Sequence, residues 1–339
     1  MNKNAIIDAG TQGRRDAGTG IFCISLDFEL QYGIEDFNQE NLNSYKKNIL
    51  GGRDTLPKIL DLFKNYNIHA TWGLVGMMLA ENKDELKKYF PNNKPGYANQ
   101  NLSSYAHLDR VGSDESEDPY HYGLSLANKI IKVPGQEIGS HTFSHYYCNE
   151  QGQTKQDFQD DLNSADKITR DKLNLKPVSL ILPRNQVNNN YLNIMQAAGY
   201  KSFRGLPDAF CYTSPKNNYL VRAFRLLDAY FGIFGAKTYS LNKIIVKDGV
   251  ANIKASNFLR PYSNKLKFLE KFKLASIKRG MLNAAKHNKI FHLWWHPHNF
   301  GLNQDANLNN LEIILEYYKF LNSKYNFKSL SMGEIAELI

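Results

Sequence analysis

Cysteine is scarce in this chain. Cys23, Cys148 and Cys211 are the only three in 339 residues. They lie far apart and form no CxxC pair, which excludes a small disulfide scaffold, and the odd count fits a reducing compartment. Long apolar runs are missing too: no uncharged stretch reaches the roughly 18 residues a membrane-crossing helix needs. The first twenty residues, MNKNAIIDAGTQGRRDAGTG, hold no apolar segment followed by a small-residue cleavage site. No secretory signal is therefore expected, and the cytoplasm is the expected compartment. Neither GxGxxG nor GxxxxGK[ST] follows the first strand-like run, so nucleotide binding of those kinds has no support. No repeat of fixed period is visible.

Hydrophobic residues make up 42% and charged residues 22% of the chain, the balance of a globular protein rather than a disordered or collagen-like one. The length suits one large domain or two ordinary ones. Lysine and arginine outnumber aspartate and glutamate 42 to 33, a net charge of +9. That excess permits contact with nucleic acid or an anionic membrane, or reflects a lysine- and asparagine-rich composition. No helix-turn-helix, zinc-finger or RRM signature accompanies it, so no nucleic-acid partner is expected.

Short apolar runs alternate with helical patterns. Residues 21–27 (IFCISLD) read as a buried strand, 56–66 (LPKILDLFKNY) as a helix with Pro57 in its first turn, and 69–75 (HATWGLV) as a second strand. Residues 78–132 are polar and irregular, and are expected to be an insertion of loops and short helices. Further strands are expected at 136–141, 178–183, 201–204, 249–256, 290–295 and 328–331. Helices are expected at 155–172, 191–198, 266–277 and 311–321, whereas residues 206–250 give no clear pattern until that late strand. This alternation implies an α/β fold with a mostly parallel sheet. Polar clusters stand just after the strands: DFE, SHTFSH, PRNQ and HPHN. That layout fits a (β/α) barrel with its site at the C-terminal strand ends, although a doubly wound sheet would place a site there too.

Three clusters can carry chemistry. His141 and His145, four residues apart, share a face if their segment is helical and could chelate one divalent cation; otherwise they sit in a polar helix start capped by Ser140 or Thr142. Asp27 and Glu29 point to the same side of a strand, where a cation would relieve their repulsion; alternatively they are solvated acids at a strand end. His292, His296 and His298 surround a late strand end beside Trp294 and Trp295. His296 is the better acid/base candidate there, and His292 suits a hydrogen-bonded place within the strand. The tryptophans either stack on a sugar ring or belong to the core.

Taken together, ISLDFE, LDLFKNYNIHATWGLVG, EIGSHTFSH, AGYKSFRG and the strand before HPHN resemble the polysaccharide deacetylase (NodB-homology, carbohydrate esterase family 4) superfamily, over roughly residues 21–338. EIGSHTFSH matches that family's H-[ST]-x-x-H metal motif. The resemblance implies a distorted (β/α) barrel of about seven parallel strands, with the 78–132 insertion. Residues 1–20 would be a lead-in and 21–339 a single catalytic domain. It implies a metal-dependent hydrolase that removes an N-acetyl group from a sugar of a surface polysaccharide or its precursor, such as lipopolysaccharide or capsule. Another amidohydrolase, an O-acetyl esterase or a catalytically silent carbohydrate-binding barrel are the alternatives.

By the same resemblance Asp27 is the base, and Glu29, His141 and His145 hold one divalent ion. Asp27 and Glu29 could exchange roles. Zinc suits the donor set, with cobalt, nickel, manganese or iron also open. His296 protonates the departing amine. The family's first motif usually has two adjacent aspartates, but Phe28 stands at the second place. Its third motif usually has arginine two residues before proline, but Ile181 stands there. Arg184 follows Pro183 instead; it reaches the base from the other side, binds substrate, or lies on the surface. Arg204 and Asp208 are loose candidates for the fourth motif. Trp72, Arg204, Trp295 and His298 are candidate contacts for an acetylated saccharide.

Residues 264–279 (NKLKFLEKFKLASIKR) carry six basic side chains and one acid, Glu270. They read either as an outer barrel helix with a solvated lysine face or as a peripheral contact with an anionic membrane, at its inner face given the expected compartment.

Overall fold

The strand β1 (Ile21–Phe28) shows how the molecule is layered. Its side chains alternate. Phe22, Ile24 and Leu26 join the large apolar cluster beneath the helices, while Ile21 and Cys23 join a second cluster inside the curled sheet. Ser25 and Asp27 continue that inner face upward and are also buried. One strand thus supplies the outer core, the inner floor and the polar mouth. The computed structural model describes residues 18–214 and 218–339. Most of the lead-in expected at 1–20 lies outside the described residues.

The elements follow as α1 (Gln39–Asn65), β2 (Ala70–Leu74), α2 (Lys83–Lys88), α3 (Leu124–Ile130), β3 (Gln136–Ser140), α4 (Lys155–Leu173) and β4 (Ser179–Leu180). Next come α5 (Leu192–Ala198), β5 (Ser202–Phe203), α6 (Phe210–Thr213), α7 (Tyr219–Phe231), β6 (Tyr239–Ser240), β7 (Val246–Lys247), β8 (Val250–Asn252) and β9 (Asn257–Phe258). The chain ends with α8 (Glu270–Lys286), β10 (Lys289–Trp295), α9 (Gln304–Tyr325), β11 (Lys328–Ser329) and α10 (Met332–Glu337).

The sheet runs β6-β10-β1-β2-β3-β4-β5-β8-β7. The seven strands from β10 through β8 are parallel to their neighbours, and β6 and β7 flank them antiparallel. Residues 250–259 join the two edges. The Ile253 and Ala255 amides donate to Phe203 and Gly205 on one side, and the Ser256 and Leu259 amides to His292 and Trp294 on the other. The expected barrel of about seven parallel strands is what forms. Its floor is apolar, built from Ile21, Cys23, Ile181, Ile253 and Ile290 with Met332 and Ile335 of α10.

Some elements depart from expectation. The helix expected from residue 56 starts at Gln39, where the Asn38 side chain accepts from the Asn41 amide, so Pro57 lies inside it rather than in its first turn. Two glycines in its middle permit a close approach. A Cβ at Gly51 would meet the Gly301 carbonyl oxygen at 2.1 Å, and one at Gly52 the His298 Cα at 2.7 Å. The long helix is thereby seated against the loop that carries His296 and His298. The region that gave no pattern, 206–250, contains α6, α7 and two short strands.

Residues 83–130 hold α2, α3 and irregular turns, anchored by a buried ionic cluster. The His121 ring nitrogens lie 2.6 Å from Asp118 and 2.7 Å from Glu35. Burial alone would lower the pKa of this imidazole, but the two carboxylates outweigh burial and raise it to about 9. A histidine whose folded pKa is raised contributes stability in full below its unfolded pKa near 6.5, and loses it as pH rises through the folded value. The melting temperature is therefore expected to fall between pH 7 and pH 10 by more in the parent protein than in His121→Asn. Parallel melting curves of the two proteins over that range would contradict the charged state of His121.

Candidate active site

The site lies at the C-terminal ends of the parallel strands, where a barrel presents its loops. Alternation along β1 and just beyond it aligns Ser25, Asp27 and Glu29, and alternation along β10 aligns His292, Trp294 and His296. The register pairs Cys23 with His292 and Ser25 with Trp294. Two polar columns therefore rise side by side into the mouth.

Glu29, His141 and His145 converge. Each offers one ligand atom, and these atoms lie within 4.8 Å of one another. Glu29 Oε2 is 3.2 Å from His141 Nε2 and 3.1 Å from His145 Nε2, and all three residues are buried. His141 Nδ1 donates to the Ile181 carbonyl at 2.7 Å. In the neutral ring this leaves an Nε2 lone pair turned toward a carboxylate, an arrangement that a cation relieves. His145 Nδ1 is buried without a partner. Burial would push the Glu29 carboxyl up, but His296, His141 and His145 outweigh it and hold the group well below the usual range. Burial lowers the His145 imidazole against the opposing pull of Glu29. The donor set thus fits one divalent cation.

The two histidines are not on a helix. Thr142 and His145 have φ of 65° and 55°, left-handed values that are rare for a β-branched residue such as Thr142. The strained turn is held from α4. Asp161 is fully buried and accepts from the amides of Phe143 at 2.7 Å and Ser144 at 3.1 Å, and from the Ser144 hydroxyl. Burial raises the Asp161 carboxyl to about 6 against these donors. Nothing in the sequence marked Asp161, because its function is to stabilise a turn more than fifteen residues away.

Asp27 faces Arg204 rather than the imidazole pair. The guanidinium grips both carboxylate oxygens, with Nη2 to Oδ2 at 2.6 Å. Arg204 also donates to Ser25 Oγ at 3.1 Å and to Asn185 Oδ1 at 2.9 and 3.1 Å, and its plane lies 4.2 Å from the Trp294 ring centroid. Burial would raise the Asp27 carboxyl, but Arg204, then His296 and His141, hold it lowered. His292 bonds Ser25 Oγ at 2.8 Å; burial, then Arg204, push its imidazole down to about 3, so it is neutral.

His296 sits on the open side. Its Nε2 is 3.4 Å from Glu29 Oε1 and 3.8 Å from Asp27 Oδ2, and the side chain is about one-fifth exposed. His298 stacks on it at 4.9 Å and is itself buried; burial, then His296, lower it to about 3. His298 is therefore a neutral backing for His296.

Other candidates are placed elsewhere. Arg184 pairs with Asp36 at 2.7 Å on the rim and covers the Tyr147 ring, so it does not reach Asp27. Asp208 pairs with Lys254. Trp72 and Trp295 are core residues: Trp72 donates to Gln136 at 2.9 Å, and Trp295 stacks on Phe300 beneath the outer helices. Trp294, one residue earlier on the inward face, is the partly exposed tryptophan of the site. Strand parity could have separated the two, since Trp294 shares the face of His292 and His296.

The sequence of residues 50–203 matches the model of the family described as polysaccharide deacetylase. No curated protein matches the chain. Among solved structures, a Mycobacterium smegmatis protein described as a polysaccharide deacetylase is similar with a TM-score of 0.58 and 13% identity, over 98% of this chain and 94% of that one. A Pseudomonas aeruginosa PAO1 protein described likewise gives 0.54 and 12%, over 94% and 90%. The Puue allantoinase gives 0.55 and 13%, over 100% and 97%. At such identities these likenesses establish the fold, a curled parallel barrel of the NodB type. The sequence likeness to that family rests on residues 50–203, a little under half of the chain, while the likeness in fold extends over nearly all of it.

The two arginines make opposite predictions. Arg204→Ala leaves Asp27 buried without its partner and is expected to cost about 3–5 kcal/mol. Arg184→Ala removes a rim pair and is expected to cost about 0–1 kcal/mol. Urea unfolding measures both, and equal midpoints for the two variants would refute the assignment.

Proposed function

We propose that this protein is a metal-dependent hydrolase that removes an N-acetyl group from a sugar of a surface polysaccharide or its precursor. The observation that carries the reading is the convergence of Glu29, His141 and His145, with Asp27 and His296 on its flanks. One carboxylate and two imidazoles would hold the ion, and that set suits zinc, with cobalt, nickel, manganese and iron also compatible. Bound there, a divalent cation would supply Lewis acidity, activating a water and polarising the amide carbonyl.

The remaining work falls to the chain's own groups. Water adds to the carbonyl carbon, and the Asp27 carboxylate takes its proton. Arg204 fixes the orientation of that carboxylate and keeps it ionised at neutral pH. The carbon–nitrogen bond then breaks, with acetate and a free amine as products. An amine leaves poorly unless protonated, and His296 supplies that proton from the open side of the site. Trp294, partly exposed beside His296, forms the surface against which a sugar ring would lie, with buried His298 behind His296. The same chemistry would open an O-acetyl ester or a non-sugar amide, whereas a silent carbohydrate-binding barrel would need no ion.

Purified protein assayed on a panel of N- and O-acetylated saccharides and simple amides, with and without a chelator, tests the reading. N-acetylated sugars are the expected substrates, with activity lost on chelation and restored by added metal. Elemental analysis should show that His141→Ala and His145→Ala lose the ion and the activity together. Asp27→Asn should keep the ion and lose activity about 10²–10⁴-fold, and His296→Ala should behave likewise. Full activity in the His141→Ala/His145→Ala double variant would defeat the proposal, and a parent protein that binds no metal would favour the silent barrel.

A further inference from the structure

The segment 264–279 does not form the regular amphipathic helix its pattern suggests. A 3-10 stretch, Asn264–Leu269, leads into α8 and is kinked at Leu266. Lys273, counted among its basic side chains, is buried, where it pairs with Glu270 at 2.6 Å and donates to the Arg260 carbonyl. Two aromatic side chains meanwhile face outward: Phe268 is 64% exposed and Phe272 41%. Large apolar side chains at such exposure mark an interaction surface when they are contiguous.

They are contiguous with α7. Along that helix Leu220, Phe224, Leu227 and Phe231 recur at steps of four, three and four residues, one helical face, and all four are exposed; Leu220 is at 70%. The Phe231 and Phe272 rings touch at 5.3 Å, which joins this stripe to Phe272 and, one turn earlier, Phe268. Phe210, also exposed, extends the stripe through its contact with Phe224 at 5.1 Å.

Around the part formed by α7 and residues 264–279 the charge is basic, while Asp208, two residues before Phe210, is an exposed acid paired with Lys254 at the far end. Lys265, Lys267, Lys271 and Arg279 are exposed beside it, and the Arg279 guanidinium donates to the Phe231 carbonyl. The acids of residues 219–235 and 260–279 are Asp228 and Glu270 alone, and both are buried and paired inward, to Lys237 and Lys273. An exposed apolar face rimmed by basic side chains, with its acids turned inward, is the pattern of an interfacial surface.

We propose that α7 and residues 264–279 together form a peripheral docking surface for an anionic lipid bilayer. The apolar stripe would enter the headgroup boundary while the basic rim meets lipid phosphates. No helix among the described residues is long and apolar enough to cross a membrane, so the attachment is to one face. A second copy of the chain is the less favourable occupant. A two-fold interface places the same patch against itself, which would set basic rim against basic rim. The surface stands on its own residues and needs no assumption about the catalytic reading.

Co-sedimentation of the full chain with vesicles of phosphatidylglycerol and phosphatidylcholine in equal parts, against vesicles of phosphatidylcholine alone, tests this. Binding is expected to the anionic vesicles only, and to weaken as salt is added. Two variants separate the contributions: Leu220→Glu/Phe268→Glu on the stripe and Lys265→Glu/Lys267→Glu/Lys271→Glu on the rim. Each is expected to cut vesicle binding at least about tenfold while melting near the parent temperature, because every substituted side chain is exposed. Parent protein that stays in the supernatant with anionic vesicles at low salt overturns the proposal. So does parent-like binding by both variants. A parent dimer in sedimentation velocity that Leu220→Glu/Phe268→Glu dissociates would instead give the surface to a second copy.

Discussion

A guanidinium withdrawn from water must satisfy five N–H donors at fixed angles, and the Arg204 side chain does so with groups from two separate parts of the chain. Asp27 and Ser25 come from β1, and Asn185 from the loop after β4. Trp294 of β10 covers the guanidinium's face. Breaking such a pair leaves a buried charge uncompensated, so the barrel's upper rim is stable only with these strand ends in one arrangement. The consequences spread outward. Asp27 spends both oxygens on Arg204, so Glu29 is the carboxylate left to face the imidazoles. His292, next to the guanidinium, is neutral and bonds Ser25. The acid two residues along β1 and the imidazole across from it thereby take different electrostatic environments in the same small volume.

Much of this was visible in the sequence because it depends on local spacing. The strand period of two aligned Asp27 with Glu29, and the His141/His145 pair announced a chelating cluster even though the helix imagined for it does not exist. What brings the two imidazoles together is a turn with two left-handed residues, held by Asp161 from α4. No pattern of residue types encodes that turn, since its stabilising group belongs to another element. The tryptophans divide for a simpler reason. Residue type alone could not place Trp72 or Trp295, whereas the phase of β10, fixed by His292 and His296, sends Trp295 outward and Trp294 inward.

The fold divides in the same way. Parallel strands between helices follow from apolar runs of the right length, and seven such strands formed. Residues 206–250 were illegible because their strands are two residues long and α7 exposes much of its apolar face, so neither period stands out against polar surroundings. The start of α1 was missed because its first turns are rich in asparagine and lysine, and its helical state there comes from an asparagine cap and from packing. Gly51 and Gly52, poor helix formers on propensity, stand where α1 meets the loop bearing His296 and His298. A local cost is accepted there for a tertiary contact that fixes the site's open side.

Ile181 and Arg204 are best understood together. The resemblance places an arginine two residues before the proline, at the position Ile181 occupies. The Ile181 side chain instead fills the apolar floor with Cys23, Ile253 and Ile290, and its carbonyl accepts from His141 Nδ1. A guanidinium at that position would displace apolar contacts and bring a second positive charge to a carboxylate whose two oxygens Arg204 already holds. Arg204 therefore makes an arginine at 181 redundant and electrostatically costly, and the vacated position serves two other ends: it closes the floor and orients an imidazole. The charge that steadies Asp27 has a fixed location in space but not in sequence, since any strand end facing Asp27 across the mouth can deliver it. In this chain that strand is β5, and Arg204 follows it directly.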